Sequence, residues 1–595
     1  MSFRRAARLA AAFAIALVLL SPGISAPFAK DAEPQSAQWI ADVVNHGHWL
    51  LPVDYYGFVN RKPPLYYWLS ALATDVSRKP LDETRARAVS LIAGAALAAI
   101  VFDWTAAALG SNAGWLAFAF LLGSYGFASR ATTTLTDMLM TALLFATYCT
   151  MFPALEASAG SDTSVSQPNE PDCHSERSEE SRYPLLEKRN SGMSWPRILV
   201  AGTLLGLAIL TKGPLVVVLL ALAAFFYLLM MRRNPFELIS RRSPWAIIAL
   251  GTALAAAWYL PALAADRGKE VAALFVSENF GHFVPPSMGG TGEAARPFYY
   301  IAMRLFGAML PLSLLIPALA AAFAIGDFNR RWRGPLRFQL AMTLAVLLFF
   351  SVASAKRDDY VLPAIPPLAI LLAALFTQLR IDPGRGSITR RLRDLTTATI
   401  AAAMLAAIIV AILFLSPGTG EQVFVSRLQS SDASYAAIFI AGLASHRWPF
   451  VIFATAVLVG AVAALLGLLR RMPLLAGSGL ALVALAGTLL WTAVERPAEV
   501  RTRSLVDFAP AIRLRVGAAP IYVAYFDPEF AWYYGRGVPP LPRAIARAGA
   551  PSRQPIYLVA RPRELARLSP QVRARLKLVM RARLSGAAPS LYEIP

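Results

Sequence analysis

Residues 60–68, Asn-Arg-Lys-Pro-Pro-Leu-Tyr-Tyr-Trp, combine side chains suited to holding an anion at a membrane surface. Arg61 and Lys62 are adjacent cations. Pro63 and Pro64 restrain the backbone that follows to an extended course. Tyr66, Tyr67 and Trp68 suit the depth of lipid headgroups. Fixed cations beside an aromatic belt are what a protein needs to grip a lipid-linked phosphate. The same residues also make an ordinary interfacial anchor, and the motif alone leaves both readings open.

Other ionisable groups stand at the ends of long apolar stretches, where charge is costly and therefore informative. Asp137 opens one stretch. Lys212 lies in Thr211-Lys212-Gly213-Pro214, between two others. Lys356, Arg357, Asp358, Asp359 and Tyr360 are packed between two more. Asp31 and Glu33 follow the first stretch, and His282 follows Glu278-Asn279-Phe280. Each has a plainer reading. Asp137 can serve as a helix N-cap or first-turn carboxylate, and Lys212 can snorkel to the interface. The Lys356–Asp359 run can neutralise itself, and His282 can be a loop histidine. His46 and His48 flank Gly47 and make no metal site without further carboxylates.

The elements that must position these groups are membrane helices. Of 595 residues, 56% are hydrophobic and 16% charged, which excludes an ordinary soluble protein. Spans of about 20 apolar residues are expected to begin near residues 8, 87, 112, 137, 196, 213, 244, 300, 336, 360, 396, 450 and 474. The net charge of +21 does not point to nucleic acid. Its arginines fall in short loops: Arg232, Arg233, Arg241 and Arg242; Arg330, Arg331, Arg333 and Arg337; Arg380, Arg385, Arg390, Arg391 and Arg393; Arg470 and Arg471. With Arg4, Arg5 and Arg8 placing the N-terminus in the cytoplasm, thirteen crossings put all four clusters inside, as the positive-inside rule requires. The loops at 29–86, 265–298 and 356–359 then face outward, and the ionisable groups above share one side. The first span also reads as a signal peptide, with Ile24-Ser25-Ala26 as a cleavage site; the 29–86 loop faces outward either way. Two cysteines, Cys149 and Cys173, argue against a disulfide framework.

Residues 157–195 form a Ser/Glu-rich insert that reads as a disordered cytoplasmic loop. After about 495 apolarity falls. Residues 520–525 and 555–559 read as short buried strands and 561–583 as helix. The expected architecture is a polytopic α-helical membrane domain of about thirteen helices over residues 1–494, followed by a small extracytoplasmic α/β domain over 495–595.

Taken in order, the motifs resemble the GT-C superfamily of lipid-linked-sugar glycosyltransferases, in the bacterial branch of ArnT-like enzymes and relatives of protein O-mannosyltransferases. The resemblance covers roughly residues 1–495. It rests on the acidic site before Trp49-Leu50-Leu51-Pro52, on Lys62-Pro63-Pro64-Leu65-Tyr66-Tyr67-Trp68-Leu69, and on Asp137 at the head of a span. Leu210-Thr211-Lys212-Gly213-Pro214 and residues 354–363 with Pro366-Pro367 complete it. There are departures. The family's adjacent Asp-Glu is here Asp31-Ala32-Glu33, Arg61 stands where ArnT-like members often carry Glu, and Asn279 replaces a common His. The last two positions resemble metal ligands in some relatives, which counts against a zinc site. No cofactor is expected with certainty, and a divalent metal stays open.

The resemblance implies sugar transfer from a polyprenyl-phosphate donor to a lipid A, glycan or protein acceptor at the periplasmic face of a bacterial inner membrane. It implies catalytic carboxylates at Asp31 or Glu33, with Asp137 as a second. It assigns the donor phosphate to Arg61, Lys62, Lys212, Lys356, Arg357 and Tyr360. The chain carries no Gly-rich phosphate loop of the nucleotide-binding folds. The rival readings are a transporter or flippase, and a non-catalytic binder, of lipid-linked sugars.

Overall fold

The computed structural model describes residues 3–29, 32–159, 193–281, 295–328, 332–379, 387–414, 447–548, 555–584 and 588–594. Asp31, His282 and most of the expected 157–195 insert, including Cys173, lie outside the described residues. The chain opens with α1 (Phe3–Leu20), α2 (Ala32–His46), α3 (Leu65–Ser77), α4 (Glu83–Leu109), α5 (Ser111–Leu122), α6 (Tyr125–Ala131), α7 (Asp137–Ala159), α8 (Trp195–Lys212) and α9 (Leu215–Met230). A helix meets each of the thirteen expected spans. Among the described residues, nine helices are long and apolar enough to cross a membrane. They become ten if Tyr300–Ala308 and Leu312–Ile325, bent by 113°, form one span. Of the other three, α5 and α9 are apolar but short, and α1 carries Arg4, Arg5 and Arg8 in its first turns. The chain is a multi-pass membrane protein.

Helix ends follow local chemistry. Asp82 caps α4 by accepting the Arg85 N–H at 2.9 Å. Gly213 stops α8 with φ +93°, a conformation that disfavours any other residue. A Cβ there would also lie 2.9 Å from Asn279 Oδ1. Packing between helices relies on small residues, as expected where lipid is as apolar as a leucine side chain. In the hairpin of Arg447–Leu469 with Pro473–Arg503, Gly460 and Gly479 let the two backbones touch.

Helix Pro473–Arg503 runs through residue 495 and leads to a four-stranded sheet. Its strands are β1 (Ile521–Val523), β2 (Ile556–Ala560), β3 (Lys577–Arg581) and β4 (Ser590–Ile594), in the order β1-β2-β4-β3. Only the β1–β2 pair is parallel. The strands expected at 520–525 and 555–559 are β1 and β2. The continuous helix expected over 561–583 is not found. Pro562 and Pro570 start two separate short helices, Pro562–Arg567 and Pro570–Arg575, and the rest pairs with β4 as β3. This region docks on the membrane domain through buried and part-buried polar contacts. Phe28 N–H donates to Tyr533 Oη at 2.6 Å, Tyr533 Oη donates to Glu83 at 2.9 Å, and Gln38 donates to the Pro528 carbonyl at 2.7 Å.

Candidate functional site

Six separate elements bring charge to one place. Lys62 stands in the loop before α3 and pairs with Glu278 of helix Gly268–Phe280. Lys212, the last residue of α8, pairs with Asp137, the first residue of α7. Each of these two charges sits at the helix end that its sign favours. The Lys212 ammonium also lies 5.3 Å from the ring centroid of Tyr360, in the short 3-10 helix Asp358–Ala364. Arg130 pairs with Asp359 at 2.5 Å, and Arg357 approaches the same carboxylate at 3.5 Å. Arg357 and Arg130 both add positive potential at Asp137. Burial pushes the Lys62 ammonium below the usual lysine range, against the pull of Glu278, and nearby Lys212 lowers it further.

Lys62 and Lys212 border a cleft with about 390 Å³ of empty space, partly open to solvent. Arg61, Lys62, Lys212, Glu278 and Asn279 form its polar side. Leu51, Trp258, Tyr259, Val271, Leu274 and Phe275 form an apolar and aromatic wall. Asn60 steadies the loop by donating to the Lys62 carbonyl at 2.7 Å. Trp258 donates to the Leu50 carbonyl at 2.9 Å, fixing the wall to the same segment. A cationic side opposite an apolar side suits a ligand with an anionic head and a hydrocarbon body.

Of the expected phosphate-binding residues, Lys62, Lys212, Arg357 and Tyr360 come together, and Arg61 lines the cleft mouth. Lys356 does not join them. Its ammonium donates to the Arg296 carbonyl at 2.8 Å and to the Ala353 carbonyl, joining two loops. Burial lowers its pKa.

Of the expected carboxylates, Asp137 lies among the cations. Glu33 lies apart, only 1% exposed. Its Oε2 accepts from Arg87 Nε at 2.8 Å and from the Thr134 N–H at 3.0 Å, and Arg496 Nη1 stands 3.8 Å from Oε1. Burial by itself would raise the Glu33 pKa. Arg87, Arg496 and the Thr134 N–H outweigh it and hold the carboxyl below the usual range. Arg87, fully buried, also donates to the carbonyls of Ile24 (2.9 Å) and Ala26 and lies over the Phe28 ring. Arg496 donates to the Thr132 carbonyl at 2.7 Å. This assembly therefore ties the segment between α1 and α2 to the loop that leads into Asp137.

Sequence reasoning missed Arg87, Arg496, Arg130 and the roles of Glu278 and Asp359. Arg87 carried a usable signal, an arginine one turn into a long apolar helix. Glu278 did not, since its partner is 216 residues away. The structure also brings Asp42 between His46 and His48, at the C-terminal end of α2.

Residues 61–165 match a family model described as dolichyl-phosphate-mannose-protein mannosyltransferase. An undecaprenyl phosphate-alpha-4-amino-4-deoxy-L-arabinose arabinosyl transferase of Shewanella sediminis is 24% identical over 366 residues, 61% of this chain and 58% of the relative. The chain thus aligns with less than two thirds of that relative's length. The transferase of the same name from Pseudomonas aeruginosa is 32% identical over 214 residues, 35% of this chain and 37% of that one. The crystal structure of ArnT from Cupriavidus metallidurans bound to undecaprenyl phosphate superposes with a TM-score of 0.67 at 20% identity, covering 98% of this chain and 97% of the other. The fold is that of ArnT, from the first helix to the terminal sheet, in line with the GT-C resemblance of the motifs.

Proposed function

We propose that the protein is a membrane glycosyltransferase that moves a sugar from a polyprenyl-phosphate donor to an acceptor at the periplasmic face of a bacterial inner membrane. The observation that carries this reading is the convergence of Lys62, in a loop, and Lys212, at the end of α8, on one cleft with an apolar wall. Similarity to transferases named for undecaprenyl phosphate-linked aminoarabinose, and to an ArnT structure bound to undecaprenyl phosphate, supports the donor class. The arginine-rich loops support the orientation. Residues 1–494 are the catalytic unit in this reading, and 495–595 a periplasmic domain docked beside it.

In the proposed reaction an acceptor oxygen attacks the anomeric carbon and loses its proton to a carboxylate. The bond from that carbon to the phosphate oxygen breaks, and polyprenyl phosphate leaves as an anion. A phosphate leaving group needs no strong general acid, only preorganised positive charge. Lys62, Lys212 and Arg357 supply it, with the Tyr360 hydroxyl as a neutral donor beside them and Arg61 at the mouth. In the free protein Glu278 and Asp137 neutralise the two lysines. An entering donor phosphate competes for those ammonium groups, and Asp137 becomes available as the base or as an acceptor-orienting group. Glu33 acts by position, holding Arg87 and the Thr134 backbone that leads into Asp137. Asp31, just before α2, remains a candidate base.

The test is transfer of radiolabelled sugar from a panel of polyprenyl-phosphate sugars by the purified protein in lipid, with Lys62→Ala beside the wild type. Turnover by the wild type that collapses in the variant is the expected result. Absence of turnover with every donor, while polyprenyl phosphate still binds, overturns the enzyme reading in favour of a binder or flippase.

A further inference from the structure

We infer that Asp42, His46 and His48 form a binding site for a single divalent transition-metal ion, zinc being the ion whose ligand preferences fit best. One ligand atom from each side chain lies within 4.8 Å of the other two. Three features of the local chain build this site. Asp42 and His46 are one helical turn apart on α2, so they share a face. Gly47, with φ +70°, then reverses the chain, so that His48 returns to the same carboxylate. Asp42 itself is buried, and its Oδ2 accepts the Val53 N–H at 2.8 Å. That contact fixes the carboxylate as an outer hydrogen bond fixes a metal ligand.

The distances fit. His46 Nδ1 lies 2.9 Å from Asp42 Oδ1, and His48 Nδ1 lies 3.0 Å from Asp42 Oδ2. Zinc bonded to nitrogen and oxygen at about 2.0–2.2 Å sets neighbouring ligand atoms about 3.4 Å apart. Both imidazoles are more than half exposed, so they can adjust to that spacing around the fixed carboxylate. Two nitrogens and one oxygen, with a face open to water, match a three-ligand zinc site with a solvent-filled fourth position. The alternative for the same atoms is hydrogen bonding alone, with both Nδ1–H groups donating to Asp42. The metal form needs the other tautomer, with Nδ1 unprotonated and Nε2–H turned to water.

The site joins the end of the helix that carries Glu33 to the segment that leads to Lys62. Trp49 and Leu50, directly after His48, already anchor this segment by accepting from Trp68 and Trp258. A bound ion would close the chain from residue 42 to 48 into a ring and stiffen that connection.

The experiment is titration of Zn(II), and of Co(II) as a spectroscopic probe, into the full chain without a histidine tag, in lipid nanodiscs stripped by chelator. The comparison is a His46→Gln/His48→Gln double variant, whose amides still donate to Asp42 and so preserve the fold. The expected result is one ion per chain by calorimetry, the visible absorption of tetrahedral cobalt, and a rise in thermal midpoint on adding zinc, with all three lost in the double variant. Asp42→Asn is expected to weaken binding as well. Failure of the wild type to bind, or equal binding by wild type and double variant, overturns the inference. The assay needs no sugar donor, so its outcome is independent of the proposed reaction.

Discussion

Two buried acid–base pairs, Glu33–Arg87 and Asp137–Lys212, are built from the same chemistry and differ in what surrounds them. Glu33 and Arg87 are sealed, and the guanidinium Nε and Nη1 donate to the Glu33 carboxylate and to the fixed carbonyls of Ile24 and Ala26. Arg87 has little freedom to turn to another partner. Lys212 is a point charge on a flexible stem, and it borders the cleft. An ammonium of that kind can exchange a carboxylate for a phosphate without leaving a buried oxygen unpaired elsewhere. The lesson is that a charge at membrane depth signals importance, while its role depends on whether its partner can be exchanged. In the proposed reading the Glu33 cluster holds the fold, and the Asp137–Lys212 and Lys62–Glu278 pairs are the ones that exchange partners with a ligand.

The largest effect expected from this contrast is on Glu33→Ala. It strands a buried guanidinium and should cost about 3–5 kcal/mol of stability, seen as a large fall in thermal midpoint in lipid, with activity lost through the fold. If the variant instead keeps its midpoint and loses only turnover, the contrast breaks and Glu33 is a catalytic carboxylate after all. Lys62→Ala should do the opposite, with an unchanged midpoint and turnover reduced on the order of 10²–10³-fold. Lys62→Arg should restore part of that loss by keeping the charge. Asp137→Asn should lower turnover about 10²-fold and leave the fold intact, checked by the same transfer assay and melting curve.

The pH dependences sharpen the comparison further. The folded-state pKa of Lys62 lies below that of an ordinary lysine. Donor binding should therefore decline as pH rises through that lowered value, earlier than for an exposed lysine. Lys62→Arg should remove the decline. The Glu33 pKa is depressed in the folded protein. Its contribution to stability is present above the ordinary glutamate pKa and is lost as pH falls through the folded value. Melting midpoints should accordingly drop in acid, and less so in Glu33→Gln. The smallest effect is expected for Arg496→Gln. This arginine stands 3.8 Å from Glu33 and the glutamine can still donate to Thr132, so about 1 kcal/mol is at stake.

Part of the site was legible because a membrane makes ionisable residues conspicuous. Asp137, Lys212, Arg357 and Tyr360 stand at the ends of apolar runs, Lys62 stands beside a proline pair and an aromatic run, and the structure gathers them. Lys356 stood equally prominently and was grouped with them. Its carbonyl partner on Arg296 depends on a short antiparallel bridge between Ala295 and Ala355 that local sequence does not encode. Glu33 carried the family's spacing, but whether it faced a substrate or an arginine depended on Arg87, 54 residues later. The C-terminal strands at 521 and 556 followed from short apolar runs, each opened by a proline. β3 did not, because its alternation is weak and only pairing with β4 makes it a strand.

By itself, then, the sequence determined that the chain crosses a membrane many times and which charges call for a purpose. These are local properties, since twenty apolar residues or a loop arginine mean the same in any context. The tertiary structure alone decided which charges are partners. Ion pairs across 54, 75 and 216 residues are set by how helices pack. Packing sealed one glutamate against an arginine and left two lysines at an open cleft.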